Sequence, residues 1–170
     1  MGSDSHTMNA ACEQPMAAAR FDAQHPLGVL VKIYPKLSET FILEELLGLE
    51  RLGLTLRLYS LAPATDAVTH PAVAQVRAPL VTLPEPSATH WREFAVRHAQ
   101  LLRSAPLRYV SALAAAVARG RSGLHDFIRA GWLAQQWLAD GVEHLHTHFI
   151  STPADVAELA ARVAGLAFSI

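Results

Sequence analysis

A single cysteine, Cys12, stands in a chain of 170 residues. One thiol excludes an internal disulfide framework and any zinc module built on several cysteines. Charge is scarce as well. Charged residues make up 17% of the chain and the net charge is -1, so no positive excess marks a nucleic-acid or general polyanion binder. No apolar run approaches the roughly 18–20 residues that a membrane-spanning helix needs. Hydrophobic residues nevertheless reach 51%, too apolar for a disordered chain, and the length suits one domain with a real core. These features point to an ordinary globular domain of a reducing, cytoplasmic setting.

Residues 1–25 read as a disordered leader of small and polar residues without a consistent period. A secretory signal needs a basic start and an apolar region. Here the first basic residue is Arg20, and Ala17-Ala18-Ala19 is too short. The domain proper is expected over residues 26–170.

Leu27–Tyr34 is short, apolar and rich in β-branched residues, the pattern of a strand buried on both faces. Pro35 stops it. Ser38 is the expected N-cap of a helix whose apolar face is Ile42, Leu43, Leu46 and Leu49, with Glu44, Glu45 and Arg51 polar. Gly53 closes that helix, and Thr55–Leu61 alternates as a second strand. Strand, helix and strand within so short a stretch predict a right-handed βαβ unit with parallel strands. A proline-rich section follows, with a third strand at Leu80–Leu83. Helices are expected over Thr89–Arg103, Pro106–Arg119 and Leu124–Asp140, with a break at Gly120–Gly123. A strand at Val142–Phe149, a helix at Pro153–Ala164 and a last strand at Leu166–Ile170 complete an α/β, Rossmann-like parallel sheet with flanking helices.

Two segments could carry chemistry. Pro35, Lys36, Leu37, Ser38, Glu39 and Thr40 form the loop between the first strand and the N-terminus of the first helix, where free backbone N–H groups favour an anionic or hydroxyl-bearing ligand. The loop has neither the G-x-G-x-x-G fingerprint nor a P-loop. His144, His146 and His148 alternate along a strand and so share one face. Three imidazoles there could hold a metal, hydrogen-bond a substrate, or be ordinary packed histidines. Trp132 and Trp137 read as core. Arg92, Arg97, Arg103 and Arg108 could form a solvated basic face or a contact with anionic lipid.

The string Tyr34-Pro-Lys-Leu-Ser-Glu-Thr-Phe-Ile-Leu-Glu-Glu45, with Leu49-Glu-Arg-Leu-Gly53 and Arg57-Leu-Tyr-Ser-Leu61, resembles the start of bacterial family 4 glycosyltransferases of the exopolysaccharide and colanic-acid type. His144-Leu-His-Thr-His-Phe149 and Gly165-Leu-Ala-Phe-Ser169 resemble that family's H-x-H-F segment and the strand after it. The resemblance spans residues 27–170. It implies the N-terminal, acceptor-side half of a GT-B architecture, two Rossmann-like domains across a cleft. It also implies hexosyl transfer with retention from a nucleotide-sugar donor to a glycan or lipid-linked acceptor, with no cofactor and no obligatory metal. Pro35, Ser38, Glu39, Thr40, His146 and His148 would line the cleft as substrate-binding residues. Inner-membrane contact would be peripheral. The family's active-site histidine and its donor domain would lie beyond Ile170, so the chain reads as a truncated fragment without transfer activity of its own. The alternatives are a non-catalytic acceptor-binding or interaction module of the same fold, and a metal-dependent hydrolase using His144, His146 and His148.

Overall fold

A computed structural model describes residues 22, 24–66, 70–148 and 151–170, so most of the expected leader lies outside the described residues. Eleven elements follow one another: β1 (Leu27–Ile33), α1 (Thr40–Arg51), β2 (Leu56–Ala62), a 3-10 turn (Pro71–Gln75), β3 (Leu80–Thr82), α2 (Trp91–Ser104), α3 (Pro106–Ala118), α4 (Gly120–Ala139), β4 (His144–Thr147), α5 (Thr152–Ala164) and β5 (Ala167–Ser169). The five strands form one all-parallel sheet in the order β3-β2-β1-β4-β5. The Rossmann-like α/β fold expected from the sequence is therefore present.

Strand alternation divides the core in two. Leu27, Val29 and Val31 of β1 and Leu56 and Leu58 of β2 pack with Ile42 and Leu46 of α1 on one face. Leu30, Tyr59, Leu61 and Leu145 pack on the other face with residues of α2 through α5, among them Phe94, Leu133, Trp137 and Leu159. β1 is buried on both faces until Lys32, as its unbroken apolar run requires. Gly28 lies where β1 meets Leu145, Val142 and Tyr59, and a Cβ would come within 2.8 Å of the Leu145 Cδ1. Glu50, buried on α1, is anchored by accepting the backbone N–H groups of Arg77 and Ala78 at 2.9 and 2.8 Å. That fixes the approach to β3.

Several expected boundaries shift for identifiable reasons. α1 begins at Thr40, so Glu39 and not Ser38 takes the N-cap position, and Glu39 makes no side-chain cap bond. Its carboxylate is bound instead by Lys36 Nζ at 2.6 Å. The break expected at Gly120–Gly123 falls at Arg119–Gly120, so that α4 starts at Gly120. Gly120, with φ of +71°, turns the corner after α3. Gly123 lies inside α4, where a Cβ would strike the Ala116 carbonyl. Gly123 therefore permits a close α3–α4 contact, and Gly120 permits the turn. Trp132 and Trp137 are core residues as expected. Of the four arginines considered as a basic face, Arg97 lies over the Trp132 ring at 4.3 Å and pairs with Glu93, and Arg108 donates to the Ala164 carbonyl.

Gly131 on α4 faces the imidazole of His98 on α2. Tyr109 Oη at 3.0 Å and the Ile128 carbonyl at 3.1 Å pin that ring, and it packs on Phe127. A Cβ at Gly131 overlaps a ring with nowhere to go. Gly131→Ala is expected to destabilise the domain by about 1–3 kcal/mol in urea unfolding. Gly48→Ala in α1, where nothing lies within 4 Å of the added Cβ, is expected to stabilise it by about 0.5–1 kcal/mol. Equal effects at the two glycines would contradict this packing.

Candidate functional site

In a parallel sheet, ligands collect beyond the carboxyl ends of the strands where the strand order reverses. Here the chain leaves β1 toward β2 on one side, with α1 on one face, and leaves β4 toward β5 on the other side, with α5 on the opposite face. The reversal lies between β1 and β4, which pair from Leu27↔His144 to Leu30↔Thr147.

Both sequence segments open onto this region. The loop after β1 starts at a cis Tyr34–Pro35 peptide. Ser60 Oγ accepts the Tyr34 N–H at 3.1 Å, and Asp66 accepts the Leu37 N–H at 2.8 Å. Pro35 and Glu39 are half-buried, while Ser38 and Thr40 are exposed at the start of α1. The Tyr34 phenol is buried, and burial followed by the Glu50 charge pushes its pKa up to about 12.

On β4, His144 and His146 point to the face that carries α1, because their register partners are Leu27 and Val29. His148 follows in the same alternation. It is 7% exposed, and its Nε2 lies 2.8 Å from Glu45 Oε2, between residues 103 positions apart in sequence. The other carboxylate oxygen of Glu45 is 3.7 Å from His146 Nε2. The His146 and His148 rings cross at 74° with centroids 4.9 Å apart, and Phe41, in the first turn of α1, meets His148 edge-on at 6.0 Å. Ser169 Oγ on β5 lies 3.0 Å from His146 Nδ1 and 2.9 Å from His144 Nε2. A cavity of about 390 Å³ adjoins the cluster, lined by Leu27, Glu45, Leu49, His144, His146 and Ser169.

Of the predicted residues, the structure joins His146 and His148 into one cluster. It sets Pro35, Ser38, Glu39 and Thr40 around the start of α1, next to Phe41 and about one turn before Glu45. The Glu39 carboxylate accepts from Lys36. Sequence reasoning missed Glu45 and Ser169 as partners of the histidines. The signal for Glu45 was its place one turn beyond Phe41 on the helix that follows the loop.

A second cavity of about 790 Å³ lies between α2, α3 and α4 on the opposite face, against Trp91, Phe94, Leu113 and Ile128. Its polar groups are largely spent on one another, since His98 is bonded through both ring nitrogens.

No family model, no curated protein and no solved structure matches this chain.

Burial, then the neighbouring His148, lowers the pKa of His146, with Glu45 opposing. Burial also lowers that of His98, against the bond to Ile128. In both rings the fold favours the neutral form. Where a folded pKa lies below the unfolded value of about 6.5, the unfolded chain takes up the proton first, so stability falls as pH drops below that value. Denaturant midpoints measured from pH 7.5 down to pH 5 are expected to fall, and to fall less steeply in His98→Asn and His146→Asn. Unchanged slopes in both variants would contradict neutral burial of these rings.

Proposed function

We propose that this chain is the acceptor-side domain of a family 4, GT-B-type glycosyltransferase that moves a hexosyl group in surface polysaccharide assembly. The observation that carries this reading is the strand reversal between β1 and β4. It sets the H-x-H strand beside β1, with His148 against Phe41 and Glu45 of the helix that the P-K-L-S-E-T loop leads into. Nothing in the local sequence obliges segments so far apart to meet, whereas one cleft formed from both would.

In the transfer, the bond from the anomeric carbon of the sugar to the nucleoside diphosphate breaks and a bond to the acceptor oxygen forms. The acceptor's hydroxyl proton leaves with the diphosphate. The residues at this cleft suit the acceptor side of that exchange. Ser38 and Thr40 offer exposed hydroxyls beside the N-terminus of α1, where the helix dipole favours partial negative charge. The Glu45 carboxylate, held by a 2.8 Å contact with His148, can accept a hydrogen bond from a sugar hydroxyl. A nucleotide sugar is the donor, a glycan or lipid-linked sugar the acceptor, and membrane contact would be peripheral.

Calorimetric titration with a panel of nucleotide sugars and of alkyl glycosides as acceptor mimics tests this. At least one ligand of these classes is expected to bind. Ser38→Ala and His148→Ala, checked for folding by circular dichroism, are each expected to weaken it about tenfold, or about 1.4 kcal/mol. Absence of binding by both classes, or binding indifferent to both substitutions, would overturn the proposal.

A further inference from the structure

We propose that Glu45, His146 and His148 form a binding site for one divalent ion of the zinc class. The inference rests on these side chains alone and stands whether or not the cleft takes a sugar.

The donor set is two imidazoles and one carboxylate, a combination that suits zinc and similar borderline ions and leaves a coordination position open. One ligand atom from each of the three residues can be chosen so that all lie within 4.8 Å of one another. Ligand atoms around a tetrahedral zinc at about 2.0–2.2 Å lie about 3.3–3.6 Å apart, so closure needs only small side-chain rotations. The supports are rigid: His146 belongs to a strand hydrogen-bonded on both sides, and Glu45 to the second turn of α1. The sequence alone suggests His144 as the third ligand. The geometry replaces it with Glu45.

Proton bookkeeping at His146 supplies a second, independent argument. Ser169 Oγ sits between His146 Nδ1 and His144 Nε2, and a hydroxyl has one proton. If His146 Nδ1 donates to Ser169, the hydroxyl is free to donate to His144 Nε2. His146 Nε2 is then a bare lone pair facing the Glu45 carboxylate at 3.7 Å, two acceptors with no hydrogen between them. If the hydroxyl instead donates to His146, the Nε2–H is 3.7 Å from the carboxylate, beyond hydrogen-bonding distance. Neither neutral arrangement gives this nitrogen a hydrogen bond among the described residues. A cation between Nε2 and the carboxylate satisfies both groups. The first arrangement is also the one in which a metal-ligating histidine donates its other N–H to an orienting partner. Here that partner is Ser169, and His144 acts one bond further out. The cavity beside Glu45 and His146 gives access for the ion and for an oxygen ligand in its remaining position.

The test is metal binding by the full chain after treatment with a chelator. Zinc is titrated in competition with a chromophoric chelator, and cobalt(II) is followed by its visible absorption. One zinc per chain is expected, with cobalt bands of a site that has nitrogen and oxygen ligands and no thiolate. Glu45→Gln and His146→Ala are expected to weaken zinc binding more than 100-fold. Ser169→Ala should weaken it about tenfold, the effect of losing an orienting partner. Cys12→Ser should leave it unchanged. Glu45 is 39% exposed, so Glu45→Gln tests the site without endangering the fold, and circular dichroism checks each variant. Failure of the folded chain to hold one equivalent of zinc would overturn the proposal. So would zinc binding that survives both Glu45→Gln and His146→Ala.

Discussion

The parallel pairing of β1 with β4 is the constraint on which the rest of this molecule depends. β1 is the central strand, covered by α1 on one face and by the helices of the larger core on the other. Right-handed crossovers leaving it in one direction and β4 in the other must place their helices on opposite faces. That handedness, with two adjacent strand ends, produces a crevice without any dedicated loop insertion. Gly28 makes the pairing close, since a side chain there would enter the space of Leu145 and Val142.

The same pairing explains why polar chemistry survives on a strand so near the middle of the sheet. α1 covers β1 and β2, and meets the histidine segment through Phe41 and Glu45. His144 and His146 therefore lie on a face that is half-buried rather than sealed, while Leu145 on the reverse face is fully buried in the larger core. One strand thus satisfies two environments: leucine toward the helices and imidazoles toward the cleft. A buried charged or polar cluster costs stability unless its members satisfy one another. Glu45 and Ser169 do this in part for the three histidines.

Much of this was legible in the sequence, and the part that was not has a common cause. The alternation in His144–His148, the apolar run of β1 and the 3.6-residue spacing of Ile42, Leu43 and Leu46 are local patterns, and they foretold the strand faces and the buried stripe of α1. Glu45 read as one more polar residue on that helix, because its role depends on a strand 103 residues away. Glu50 was hidden for the same reason. Its burial is intelligible only once the backbone of Arg77 and Ala78 is seen to fold against it. The helix break at Gly120 was legible because glycine is locally permissive; only the closeness of α3 and α4 shows that Gly123 was needed for contact. Ser38 had the right chemistry for an N-cap, but α1 starts one residue later, with Glu39 at the N-cap and paired to Lys36.

The central claim is that the loop-and-helix segment after β1 and the histidine strand form one physical site. A double-mutant cycle between Glu45→Gln and His148→Gln, read as unfolding free energy, tests it most directly. The account predicts that the two substitutions are coupled by at least about 0.5 kcal/mol, as expected for residues in one hydrogen-bonded network. Strict additivity of the two effects would contradict it, since residues that do not meet have no interaction to lose.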